Sequence, residues 1–119
     1  MSQVHRRNVD SIKRHPRVTA AATGNALPLF TPDPSGKAPG GTIGRMGWYL
    51  HNPDATNTLY IYKRMLGEHV PVVAGSSLDD DICYKIPAGT TYEADDGPDV
   101  IVYVGCSAST IVVTPKEVF

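Results

Sequence analysis

The pattern of apolar and polar positions changes character near residue 46. From there on, short apolar runs recur roughly every ten residues with turn chemistry between them, the rhythm of an antiparallel sandwich or barrel. The predicted strands are Met46–His51, Thr58–Met65, Val70–Val73, Ile82–Ile86, Thr91–Glu93, Val100–Cys106 and Thr110–Thr114. All are rich in Val, Ile, Tyr and Thr, which pack well on a pleated, half-buried surface. The breaks between them are Asn52-Pro53-Asp54, Ala74-Gly75-Ser76-Ser77, Pro87-Ala88-Gly89, Asp95-Asp96-Gly97-Pro98 and Ser107-Ala108-Ser109, residues that favour turns.

Alternation assigns faces. Leu59 and Ile61 share one side of their strand, with Tyr60 and Tyr62 on the other; Ile82, Tyr84 and Ile86 oppose Cys83 and Lys85. The run Val100–Cys106 is apolar on both sides, so it is expected to be central or covered on both faces. Leu59, Ile61 and this run should form the core with Ile111 and Val113. The fold class is all-β: a small antiparallel β-sandwich or barrel, jelly-roll-like, over residues 46–119, behind a long extended N-terminal arm over residues 1–45.

The arm has no such pattern. Its first part is polar and basic; a short helix over Val9–Arg14 is conceivable, ended by His15-Pro16. Val4, Val9, Ile12 and Val18 are too sparse to bury a face. Between Leu27 and Gly47 lie four prolines and five glycines, which exclude regular helix and most sheet. Leu27, Leu29 and Phe30 stand in this segment without apolar neighbours. Either they tuck against their own body or they dock on another subunit, since a plain linker would not need them.

Charge sharpens the division. Residues 1–17 carry Arg6, Arg7, Lys13, Arg14 and Arg17 against Asp10 alone, whereas residues 46–119 hold four Lys/Arg against ten Asp/Glu. A basic arm on an acidic body is polarised, and Arg6, Arg7, Arg14 and Arg17 are candidate contacts to an acidic partner. The body lacks the basic stripe that flanks stacking aromatics in nucleic-acid binders, so direct nucleic-acid contact is not expected. No apolar run approaches the ~18–20 residues that span a bilayer, and no signal-peptide pattern follows Met1. No membrane role is expected.

Catalytic patterns are also missing. His5, His15, His51 and His69 have no metal-ligand spacing and read as surface histidines. Asp79-Asp80-Asp81 and the Asp95–Asp99 group lack the alternating register of a calcium loop. Cys83 and Cys106 form no CxxC pair and read as reduced thiols. The turn after Gly105 is not a nucleophile elbow, and the glycines fit no phosphate-cradling motif. Neither an enzyme nor a cofactor is expected.

The segments LHNPDATNTLYIYKR, VPVVAGSSLDDDICYKIPAG and DVIVYVGCSASTIVVT together resemble small accessory proteins of tailed bacteriophages. In these an Asn-containing turn leads into a strand of the form NxLYI, and a hairpin of alternating valines closes a β-sandwich. The likeness runs over the last two-thirds of the chain and leaves the arm unmatched. It implies a virion structural protein, a decoration or cement protein of the capsid, with the major capsid protein or another virion protein as partner. It also implies a homo-oligomer, located in the virion. A tail, neck or baseplate component is the alternative of the same kind. A carbohydrate- or receptor-binding module, with Trp48, Tyr49, Tyr60 and Tyr62 as stacking candidates, is the alternative of another kind.

Overall fold

The doubly apolar run at Val100–Cys106 becomes a central strand, and the rest of the chain is organised around it. The computed structural model describes residues 11–73 and 84–119. Among them the strands are β1 (Ile12–Arg14), β2 (Val18–Ala21), β3 (Leu27–Pro28), β4 (Gly47–His51), β5 (Leu59–Arg64), β6 (Tyr84–Ile86), β7 (Thr91–Ala94), β8 (Ile101–Cys106), β9 (Thr110–Val113) and β10 (Lys116–Val118). The protein is all-β, and every pairing is antiparallel.

Two sheets carry the fold, in the orders β1-β10-β4-β7 and β3-β8-β5-β6, and the pair β2-β9 forms a third, smaller one. The main core lies between them. Trp48 and Leu50 from β4, Leu59 and Ile61 from β5, Val102, Val104 and Cys106 from β8, and Ile111 and Val113 from β9 are all buried there. The face expected from alternation is therefore the inner face. Burial of each such aliphatic side chain stabilises the fold by about 1.5–3 kcal/mol.

The outer face of β5 and β8 is covered as well. Tyr62 pairs with Tyr103 across the strands and packs with Ala26 and Val73 in a second apolar cluster. The cover is made by two strips of backbone: Ala26 N–H donates to Pro71 O (2.8 Å) and Val73 N–H to Gly24 O (2.8 Å). Val73 lies directly over Gly105, where an added Cβ would meet its side chain at 2.5 Å. A glycine is required there because two layers of chain approach closely.

Several expectations change. Residues 11–45 are not separate from the body, because β1, β2 and β3 each add a strand to a different sheet. The helix considered over Val9–Arg14 is replaced, in its described part, by β1, whose backbone groups pair with β10; Val9 lies outside the described residues. Val70–Val73 is not a strand but a single bridge, Val72 to Asn25. Tyr84 does not join Ile86 in the core; it stays exposed and stacks on Tyr92 with ring centroids 4.1 Å apart. Ile82 and Cys83 lie outside the described residues. Strand β10 was not foreseen at all.

Candidate functional site

Cross-strand register sets the two faces of the β1-β10-β4-β7 sheet. One row reads Lys13, Glu117, Trp48 and Ala94, and the adjacent row reads Arg14, Lys116, Tyr49 and Glu93. The first row faces the core and the second faces away from it.

On the inner side Glu117 is fully buried, and its carboxylate is fully engaged. Thr42 donates to it twice, from the backbone N–H (3.0 Å) and from the hydroxyl (2.7 Å). Arg45 Nη1 reaches it at 3.2 Å, and His15 Nε2 forms a short hydrogen bond to it. His15 Nδ1 accepts the Thr31 N–H at 3.2 Å, so the imidazole proton sits on Nε2 and is donated to Glu117. The Arg45 guanidinium is buried too, with its remaining donors on the carbonyls of Gly40, Asp96, Gly97 and Val100. All five of its N–H groups have acceptors.

Burial pushes the Glu117 carboxyl upward, but hydrogen bonds from Thr42 and His15 outweigh that and hold it below its ordinary range. Burial pulls the Arg45 guanidinium below its ordinary value, with Glu117 opposing. Phe30 fits between these groups: its ring meets His15 edge-on at 5.2 Å and Trp48 at 5.8 Å, and Arg45 lies over it at 5.0 Å. Beside this cluster Asp96 accepts the Trp48 indole N–H at 3.0 Å and pairs with Lys63 at 2.8 Å. This is a set of satisfied buried groups, and a shallow groove of about 310 Å³ opens beside it against His15, Thr31 and Thr42. The set ties the N-terminal segment, the Thr42–Arg45 loop and β10 together.

The outer side is built differently. Arg14 and Arg17 are exposed and Lys116 is half-buried. Lys116 lies over the Tyr49 ring at 5.4 Å. Lys116 borders two adjoining shallow grooves, one of about 350 Å³ with Ile12, Arg14 and Tyr49, the other of about 420 Å³ with Arg17, His51 and Thr114. None of Arg14, Arg17 and Lys116 has a carboxylate partner among the described residues. This face can attract anionic groups; the inner network cannot.

The candidate residues read from sequence therefore separate. Arg14 and Arg17 come together with Lys116 on the outer face, while Arg6 and Arg7 lie outside the described residues. Leu29 and Phe30 are buried in the core of their own chain and not displayed on its surface; Leu27 remains 41% exposed. Trp48 and Tyr62 are fully buried, which removes both as stacking platforms for a glycan. Tyr60 is half-buried beneath Lys85, whose ammonium lies 5.9 Å from the ring. His15 is not a surface histidine, whereas His51 and His69 are exposed. Cys106 is a buried free thiol, pushed up by burial. Asp79-Asp80-Asp81, Cys83 and His5 lie outside the described residues.

Sequence reasoning missed Glu117, Arg45, Thr42 and Lys116. A usable signal was present in Lys116-Glu117-Val118, where a charge alternates with another charge after Pro115, but three residues do not establish a period. Compared with known proteins, the chain matches no family model, no curated protein and no solved structure.

Proposed function

We propose that this chain is a non-enzymatic assembly module, a bacteriophage virion structural protein that decorates or cements a capsid. Its docking surface is the outer face of the β1-β10-β4-β7 sheet, seated on an acidic patch of the major capsid protein or another virion protein. The observation that supports this is the gathering of Arg14, Arg17 and Lys116 around two adjoining grooves that no carboxylate lines among the described residues. Each exposed ion pair is worth only about 0–1 kcal/mol and is screened by salt. Weak contacts of this kind suit a protein present in many copies, because repetition multiplies them. No cofactor enters this reading.

Mass spectrometry of purified particles is the test, with heads and tails separated before digestion. The expected result is the chain in the head fraction at a copy number comparable with the capsid protein, released by raised salt. Recovery in the tail fraction would make it a tail, neck or baseplate component. Absence from all particles would end the virion reading.

A further inference from the structure

The segment 11–30 has an unusual relation to the rest of the chain. Its three strands lie on three different sheets, β1 on β10, β2 on β9 and β3 on β8, and pair only with strands that follow residue 46. Its other described backbone hydrogen bonds also run to the later chain: His15 to Pro115, Ser11 to Phe119, Gly24 to Val73, Ala26 to Pro71 and Leu29 to Val102. None closes within the segment. Its buried side chains, His15, Ala20, Ala26, Leu29 and Phe30, fill space that residues 46–119 leave open. The segment is a strip added to a body by strand pairing, the same physics by which an extended peptide docks on sheet edges.

The strip is joined to the body by Thr31–Lys37. In this stretch Thr31, Pro32, Pro34, Ser35, Gly36 and Lys37 are exposed. The turn is closed by Asp33 N–H to Ala38 O (3.1 Å) and Gly36 N–H to Asp33 O (3.0 Å). From Ala38 the chain is seated on the body, with Gly40 N–H donating to Pro98 O at 2.8 Å. Opening this one exposed turn would let the strip, once unpaired, reach a second copy, with Gly40 still seated on Pro98.

We propose that residues 11–30 exchange between copies of this chain, each strip completing the three sheets of a neighbour. Every contact made within one chain is available unchanged on a second copy, so exchange is opposed by the closed turn and by the entropy of association alone. Two prolines in the turn stiffen the opened connector toward an extended form. The partner is a second copy because the receiving surface, the open edges of β10, β9 and β8 together with the pocket around Glu117, exists on this chain. The inference deepens the assembly reading and rests on it for purpose: exchanged strips would lace decorating copies to one another.

The test uses the register of β2 on β9, where Thr19 lies directly opposite Val112 and both are exposed. Thr19→Cys and Val112→Cys proteins, differently tagged, are mixed at millimolar concentration, taken through mild denaturant and back, and oxidised. Exchange predicts a covalent T19C–V112C pair well in excess of either like-with-like pair, and its absence when wild type replaces either partner. Gly36 sits at φ +78° with open space around it. Gly36→Val therefore strains the closed turn without a clash, and should raise the mixed product about tenfold. A mixed product no more abundant than chance collisions, unchanged by G36V, overturns the proposal. The readout needs no capsid, so it can fail while salt-sensitive docking of the basic face stands, and the reverse also holds.

Discussion

The two faces of the β1-β10-β4-β7 sheet handle charge by opposite rules. On the inner face one carboxylate is surrounded by Thr42, His15 and Arg45, and the guanidinium is completed by four backbone carbonyls. On the outer face, one residue away along β1 and β10, Arg14 and Lys116 have no carboxylate partner among the described residues. A buried ion must be matched donor for acceptor, since desolvation otherwise exceeds the attraction. An exposed cation is held by water and stays available. The inner charges therefore serve stability, and the outer ones are free for association.

Breaking the inner set should have the largest effect. Glu117→Ala leaves Arg45 and His15 facing a void and is expected to destabilise the protein by about 3–5 kcal/mol, a fall in Tm of roughly 10–20 °C. Calorimetry or circular dichroism would measure it; a Tm within a few degrees of wild type would mean that the carboxylate is not embedded as described.

His15→Ala should come next. It removes a hydrogen bond to a charged group and the edge contact with Phe30, for a loss of about 1.5–3 kcal/mol in denaturant unfolding. The N-terminal strip should also loosen, seen as faster amide exchange at Leu29 and Thr31 than in β8. Uniform exchange across the molecule would contradict a local latch.

The pH dependence gives a smaller, signed effect. Glu117 is held below its ordinary value of 4.5, so its contribution to stability is fully present above that value and lost as pH falls through the lower folded value. Wild type should lose stability on acidification below about pH 4.5, and Glu117→Gln should show a flatter acid limb. Parallel limbs in the two proteins would show that the acid sensitivity arises elsewhere.

The sequence made some of this legible and hid the rest for identifiable reasons. Strands β4, β5, β8 and β9 could be read because each is long enough to alternate and is bounded by turn residues. Strands β1, β3 and β10 span only two or three residues, and their pairing comes from partners far along the chain. No local period can report such an element. Trp48 and Tyr62 looked like exposed aromatics because alternation tells which residues share a face, not what covers it. The cover over Tyr62 is supplied by Gly24–Ala26 and Pro71–Val73, two segments with no pattern of their own. His15 read as a surface group because a lone histidine beside a proline carries no sign of burial, and Glu117 drew no reading of its own. Their burial follows from the meeting of the two ends of the described chain. Arg14 and Arg17 were legible as cations, but Lys116 joins them only through the β1–β10 register.

The smallest expected effect on stability is also the sharpest statement about the outer face. The triple variant Arg14→Glu/Arg17→Glu/Lys116→Glu should unfold within about 0.5 kcal/mol of wild type, because among the described residues these side chains have no carboxylate partner to lose and only Lys116 gives up a contact, that with the Tyr49 ring. Its copy number in purified particles, quantified by mass spectrometry beside wild type, is the most direct measurement of the docking role. The expected result is a folded variant depleted from particles at least about tenfold, corresponding to a loss near 1.4 kcal/mol of binding. A variant that folds normally and is incorporated as well as wild type would contradict docking through this face.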